Sequence, residues 1–370
     1  MTSHPRFPTP FGVDPHDPLL ALPKVSLHDH LDGGLRPQTI IELADEIGYQ
    51  LPSNNAGELQ LWFRDACDSG DLVRYLETFD HTTALMQTHA NLHRVATEWV
   101  LDQVADGVIY AEARWAPEQH LAGGLSLDEA VDAVQAGLDA GVAEAALEGK
   151  TIVVGQLITA MRHADRSVEI AELALRHRDA GAVGFDIAGA ELGFPASNHR
   201  EAFELLHREN FPVTIHAGEA DGVLSVWEAV QLCNAQRIGH GVRLIEDCDL
   251  SDPGNPRLGR LAQWVRDRHV PLELCPSSNV QTAAAPSIAE HPITWFKNQG
   301  FTVALSPDNR LMSGTSMTRE MRLLMDEAGW DHDDLLWVSV NALQNAFLDL
   351  PDREALLDEL LLPGFEGSSV

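Results

Sequence analysis

The run KVSLHDHL at residues 24–31 is short, carries Val25, Leu27 and Leu31, and ends against Asp32-Gly33-Gly34. That is the pattern of a buried strand closed by a turn. Seven further runs share it: GVIYAEARWAP (107–117), TIVVGQLITAM (151–161), AVGFDIAG (182–189), FPVTIHAGE (211–219), RIGHGV (237–242), VPLELCPSSN (270–279) and FTVALSPDN (301–309). Helical periodicity fills the intervals. Strands alternating with helices imply a parallel sheet, and eight strands close a (β/α)8 TIM-type barrel. An open doubly wound α/β sheet is the alternative, but no G-x-G-x-x-G follows the first run.

The clearest helix runs from Ser126 to Leu147. Leu127, Val131, Val134, Leu138 and Val142 recur at spacings of three and four, and Ser126 with Glu129 forms a capping box. Ser225 with Glu228 is expected to repeat that box ahead of WEAVQLC. About 75 residues separate the first two strands, far more than a usual βα loop, with helical stretches near 37–48, 58–68, 71–88 and 90–106. On a barrel, an insertion there lies over the catalytic face. Extra helices forming a lid are therefore expected after the first strand. Leu61, Trp62 and Phe63 read either as the gating surface over an apolar ligand or as ordinary helix packing.

Residues 1–22, with prolines at 5, 8, 10, 15 and 18, read as an extended arm, and 23–370 as a single barrel domain. The balance of 25 Lys+Arg against 56 Asp+Glu gives a formal charge of −31, and only Lys24, Lys150 and Lys297 are lysines. Such a surface repels phosphate backbones and anionic lipid, so neither nucleic acid nor membrane is expected as a partner. Cys67, Cys233, Cys248 and Cys275 are scattered without a CxxC pair and read as reduced thiols. The proline-rich start lacks the pattern of a signal peptide, and no apolar run reaches the ~20 residues of a membrane helix, so a cytoplasmic location is expected.

Barrel chemistry gathers at the C-terminal strand ends. His28 and His30 stand two apart on the first strand and face the same way. His216 in HAGE, His240 in GHG and Asp308 in SPDN fall at other strand ends. His89, His93, His177, His199 and His207 fall instead on helical stretches that read as solvated. Three imidazoles and a carboxylate suit Zn²⁺ or a similar divalent ion, and the missing thiolate argues against a structural zinc site. His28, His30, His216 and Asp308 would hold one such ion with a position left for water, whose pKa would fall to about 7. Glu219, just past His216, suits proton transfer, with a surface salt bridge as the alternative. His240 reads as the group that orients or deprotonates the water, or as a packed core histidine.

Taken in order, PKVSLHDHLDGGLRP, VGFDIAGAE, TIHAGE, RIGHG, CPSSN and LSPDNRLMSGTS closely resemble the adenosine deaminases of the metal-dependent amidohydrolase superfamily. The matching motifs run from about residue 23 to residue 317. The resemblance implies a (β/α)8 barrel, one zinc ion per chain, and hydrolysis of adenosine and 2′-deoxyadenosine to the inosine product and ammonia. It also implies that His28, His30, His216 and Asp308 are the zinc ligands, that Glu219 protonates purine N1, and that His240 acts on the water. The Gly189 N–H would meet N3, Asp32 the ribose 5′ side and Asn309 N7, while His30 borders the substrate.

Two positions depart from the family pattern. Pro307-Asp308-Asn309 stands where relatives often have Thr-Asp-Asp; a neutral amide can donate to the N7 acceptor, which an ionised carboxylate cannot. Asp29, between the paired histidines, faces away from the ligands. Sister deaminases acting on adenine, AMP or 6-amino-6-deoxyfutalosine remain alternatives. AMP would need a basic pocket, for which Arg36, Arg114 and Arg162 are candidates, and adenine would leave Asp32 without a ribose partner. A catalytically silent binding homologue would have lost a ligand or the acid, and all are present. A cytidine-deaminase-type site fails because no P-C-x-x-C follows His199–Glu201 or His207–Glu209, and Gly149-Lys150-Thr151 lacks the earlier glycine of a phosphate-binding loop, Glu144 standing there.

Overall fold

A computed structural model describes residues 7–252 and 254–367. All eight runs form strands: β1 (Lys24–His30), β2 (Val108–Trp115), β3 (Val153–Met161), β4 (Ala182–Ala188), β5 (Thr214–Ala217), β6 (Arg237–His240), β7 (Leu272–Leu274) and β8 (Val303–Leu305). They pair in parallel as β1-β2-β3-β4 and β8-β7-β6-β5. Isolated bridges at Asp29–Asp308 and Phe185–Val213 join the two halves, so the sheet closes on itself. The fold is a (β/α)8 barrel. At the β8–β1 seam the Asp308 N–H donates to His28 O and the His30 N–H donates to Asp308 O, both at 2.9 Å. Closure of the barrel thus brings together two stretches of predicted ligands nearly 280 residues apart. A two-residue antiparallel ladder between Cys248–Asp249 and Arg257–Leu258 was not anticipated.

The helix Leu127–Leu147 starts at the predicted capping box, with Glu129 N–H donating to the Ser126 side chain and the Glu129 carboxylate accepting in return. The second box does not form. Gly222 caps the helix Val223–Gln231, and the Ser225 hydroxyl, now inside the first turn, donates to Glu191. A buried carboxylate with several donors outcompetes a local cap.

The insertion after β1 folds into Pro37–Ile47, Ala56–Cys67, Leu72–Glu77, Phe79–Thr83 and His89–Ala105. Phe63 is fully buried, and Trp62 lies edge-on to Phe63 and His81, each at 5.1 Å. Trp62 and Phe63 therefore pack inside the insertion, and Leu61 is half exposed. Val73, Leu76, Glu77, Phe79, Asp80 and Thr83 are the insertion residues beside the strand ends. Of the arm, Phe7 and Phe11 pack on the core, and Asp17 caps the short turn Pro18–Ala21 and pairs with Arg322 at 2.6 Å. Residues 1–6 of the arm and 368–370 of the barrel segment lie outside the described residues. The four cysteines are free, and among the described residues no helix is long and apolar enough to cross a membrane.

Candidate active site

The ends of β1, β5, β6 and β8 meet at one rim. His30 Nε2 lies 3.3 Å from His216 Nε2 and 3.3 Å from Asp308 Oδ1, and His28 Nε2 lies 3.4 Å from the same oxygen. Donor atoms about 2.0–2.1 Å from one ion stand roughly 3 Å apart at neighbouring positions, so these three spacings suit a shared cation. His28 Nε2 and Asp308 Oδ1 are buried and have no hydrogen-bond partner among the described residues. Orphaned buried polar atoms are costly, and a divalent cation between them would satisfy both. An N₃O donor set fits a borderline ion such as zinc.

Neighbours fix which nitrogen faces the cluster. His28 Nδ1 is 2.9 Å from Glu273 Oε2, and His216 Nδ1 is 3.0 Å from Asp186 Oδ2. Each Nδ1–H donates outward, which leaves the Nε2 lone pairs turned inward. Arg114 holds both carboxylates, at 2.7 Å from Glu273 and 3.2 Å from Asp186, and Arg237 also binds Glu273 at 2.6 Å. Ser278 Oγ donates to Asp308 Oδ2 at 2.6 Å and so orients the carboxylate. His240 and Asp308 both have positive φ, +63° and +64°. For residues with a Cβ this costs on the order of 1–2 kcal/mol, strain of the kind that collects at functional sites.

Burial lowers the affinity of His30 and His216 for protons, so both rings are neutral and free to act as ligands. Burial opposes the charge on Asp308 as well, but the nearby His28, His240 and His30 imidazoles hold the carboxyl well below the usual range. Glu219 shows the opposite balance. Burial, with the charges of Asp308 and Glu191, pushes it well above the carboxylate range, which favours its protonated form. Its Oε2 stands 3.6 Å from His240 Nε2. Cys275 also approaches His28 and His240, but burial keeps its thiol protonated, and its Sγ donates to Glu273 O at 3.6 Å.

The turn that carries Glu219 is clamped by Glu191. Its Oε1 accepts from Gly218 N at 2.6 Å and Ser225 Oγ at 2.5 Å. Its Oε2 accepts from the N–H groups of Glu219, Ala220 and Asp221 at 3.1, 2.6 and 2.8 Å. Gly218 has φ +72°, and a Cβ there would meet Val226 Cγ2 at 2.6 Å, so the turn requires glycine.

A cavity of about 390 Å³ opens above His30 and is lined by Asp32, Glu77, Phe79, Trp115, Met161 and Gly189, among others. Asp32 is buried with Oδ1 unpartnered, and burial pushes its carboxyl up to about 7. Asn309 is buried beside Tyr75, its Oδ1 lacking a donor. A second cavity of about 390 Å³ lies under the arm and holds none of the predicted metal, catalytic or purine-contacting residues.

Several expectations need correction. His177 and His199 are buried, not solvated; His199 is held by Ser167 Oγ and Arg162 O, both at 2.9 Å. The three arginines do not form a phosphate pocket. Arg36 pairs with Asp102, Arg114 is spent on Asp186 and Glu273, and Arg162 donates to His216 O at 2.6 Å. Asp29 does face away from the ligands; it accepts from Trp99, Gln103 and Arg310. Glu191, Asp186, Glu273, Ser278 and Asn279 were missed. For the two strand residues, Asp186 and Glu273, a signal existed in a charge set inside an otherwise apolar strand.

A family model described as Adenosine deaminase matches residues 23–362. Adenosine deaminase 1 of Streptomyces coelicolor is 55% identical over 350 residues, which cover 94% of this chain and 88% of that protein. The adenosine deaminase of Mycolicibacterium gilvum is 54% identical over 344 residues, covering 93% of this chain and 95% of that one. Among solved structures, the adenine deaminase of Arthrobacter aurescens superposes with a TM-score of 0.79 at 24% identity, covering 92% of this chain and 98% of its own. An amidohydrolase from Burkholderia ambifaria with bound Zn gives 0.80 at 22% identity, covering 98% and 97%. These two structural likenesses speak for the fold alone. With a family model spanning residues 23–362 and relatives of 54–55% identity over more than nine-tenths of its length, the chain belongs to the adenosine deaminase family.

Proposed function

We propose that the chain catalyses zinc-dependent hydrolytic deamination of adenosine, and of 2′-deoxyadenosine, to the inosine product and ammonia. One observation carries the reading: His30 Nε2 stands 3.3 Å from both His216 Nε2 and Asp308 Oδ1, and His28 Nε2 3.4 Å from that oxygen, close to Glu219, whose protonated form burial favours. Relatives named adenosine deaminase support the substrate, and the three imidazoles and one carboxylate with unpartnered inward atoms support the metal.

His28, His30, His216 and Asp308 would hold one zinc ion, whose Lewis acidity makes hydroxide available near neutral pH. Glu219 donates its proton to purine N1, which draws electron density from C6 and opens it to attack. His240 orients the attacking oxygen. The C6–N bond breaks and ammonia leaves. The Gly189 N–H binds N3, Asp32 takes the ribose 5′ side, and the Asn309 amide donates to N7. The insertion helices Leu72–Glu77 and Phe79–Thr83 act as the lid. Free cysteines, three of them buried, support a cytoplasmic location.

The cavity lining favours a nucleoside over a nucleotide. Asp32, Glu77 and Asp80 line it, and no lysine or arginine is among its described lining residues. The test is one ultraviolet assay of zinc-loaded protein with adenosine, 2′-deoxyadenosine, adenine and AMP. Adenosine is expected to exceed AMP and adenine by about 100-fold or more in kcat/KM. AMP or adenine as the best substrate overturns the reading.

A further inference from the structure

Asn279 and His291, two buried side chains with no part in the chemistry above, form a hydrogen-bonded chain that ends on His240. Its polarity follows from one fixed donor. The backbone N–H of Ile293, at the start of the helix Ile293–Asn298, lies 3.1 Å from His291 Nδ1. A backbone N–H can only donate, so Nδ1 carries the lone pair and Nε2 the ring proton. His291 Nε2 lies 3.1 Å from Asn279 Oδ1 and donates to it. The Cys275 N–H donates to the same oxygen at 3.3 Å. Two converging donors fix the amide, because turning it over would point its NH₂ hydrogens at both. Asn279 Nδ2 therefore faces His240 Nδ1, at 3.0 Å. An amide NH₂ cannot accept, so His240 Nδ1 must. His240 then keeps its proton on Nε2, the nitrogen 3.6 Å from Glu219 Oε2.

The chain is dry: Asn279 is 0%, His240 1% and His291 3% exposed, so no bulk water can substitute for a partner. Burial also keeps His291 neutral, with its pKa lowered to about 3. A second ring proton there would point at the Ile293 N–H.

We infer that Asn279 and His291 are positioning residues that hold His240 as its Nε2–H tautomer, so that His240 meets the reacting oxygen as a hydrogen-bond donor and not as a base. In this state neither ring nitrogen is free to accept: Nδ1 is engaged by Asn279 and Nε2 is protonated. Proton balance then runs through Glu219. It gives its proton to N1 and recovers one from the attacking water, and the second water proton leaves with ammonia. The consequence for catalysis rests on the deaminase reading; the tautomer itself does not.

The experiment uses full-length, zinc-loaded protein labelled with ¹⁵N at histidine. The His240 signals are assigned by their loss in His240→Gln. Without substrate, the spectrum is expected to show a protonated Nε2 and an unprotonated Nδ1. Asn279→Asp keeps the shape but replaces the donor by an acceptor. It should move the proton to Nδ1 and lower kcat by about tenfold or more, with KM changed less than about twofold. An Nδ1–H His240 in the unsubstituted protein overturns the inference, as does an Asn279→Asp protein whose tautomer shifts with kcat intact. If Asn279→Asp does not fold, the unsubstituted spectrum decides alone. Failure of the deaminase reading is separable: adenosine would release no ammonia while the His240 spectrum stays as expected.

Discussion

Replacing Glu191 by Gln tests whether the turn carrying Glu219 is held by charge-assisted hydrogen bonds. Five donors converge on this carboxylate, three on Oε2 and two on Oε1. A glutamine can keep its one carbonyl oxygen on the N–H groups of Glu219, Ala220 and Asp221. Its NH₂ then faces Gly218 N–H and the Ser225 hydroxyl. The hydroxyl can turn to accept, but the Gly218 N–H cannot and is left unpaired in a buried site, at about 1–3 kcal/mol. The three retained bonds lose their charge assistance, on the order of 1 kcal/mol each. Part of this is offset because a neutral amide costs less to bury than a carboxylate. A net loss of about 3–5 kcal/mol is expected, read as a lowered urea midpoint with an unchanged m-value. Activity should fall by about ten- to a hundredfold through misplacement of Glu219, with metal content intact. A loss of stability below about 1 kcal/mol would refute the clamp.

Glu219→Gln preserves shape but cannot carry a proton to N1; kcat should fall by about 10²–10⁴ with zinc retained, and near-normal turnover would remove Glu219 from the chemistry. Asp308→Ala removes a ligand and should abolish stoichiometric metal by elemental analysis; full zinc content would refute its role. Acid should destabilise the fold through His120, which is buried, donates Nδ1–H to Met86 O, and has an unpartnered Nε2. Burial lowers its pKa from 6.5 to about 4, so between those values the unfolded chain binds more protons. Its contribution is therefore full above about pH 6.5 and lost as pH falls towards 4, about 3 kcal/mol in all. Urea midpoints against pH should show a shallower acid limb in His120→Asn, whose amide can still donate to Met86 O; an unchanged limb counts against this.

The strands and the candidate site residues at their ends were legible because both follow local rules. Alternation placed His28 and His30 together and turned Asp29 away, and strand termini marked His216, His240 and Asp308. What failed was decided by competition between distant groups. Ser225 leaves its predicted cap for Glu191, and His199 is buried against Ser167 and Arg162. Arg114, a candidate for phosphate, is claimed by carboxylates from β4 and β7.

The linear order of residues determined which side chains could bind a cation or move a proton, since those abilities belong to residue type and strand parity. Only tertiary structure decided their protonation and aim. The raised Glu219 and the tautomers of His28, His216 and His240 depend on burial and on partners tens to hundreds of positions away. Barrel closure, through the Asp29–Asp308 and Phe185–Val213 bridges, is the step that makes distant strand ends neighbours.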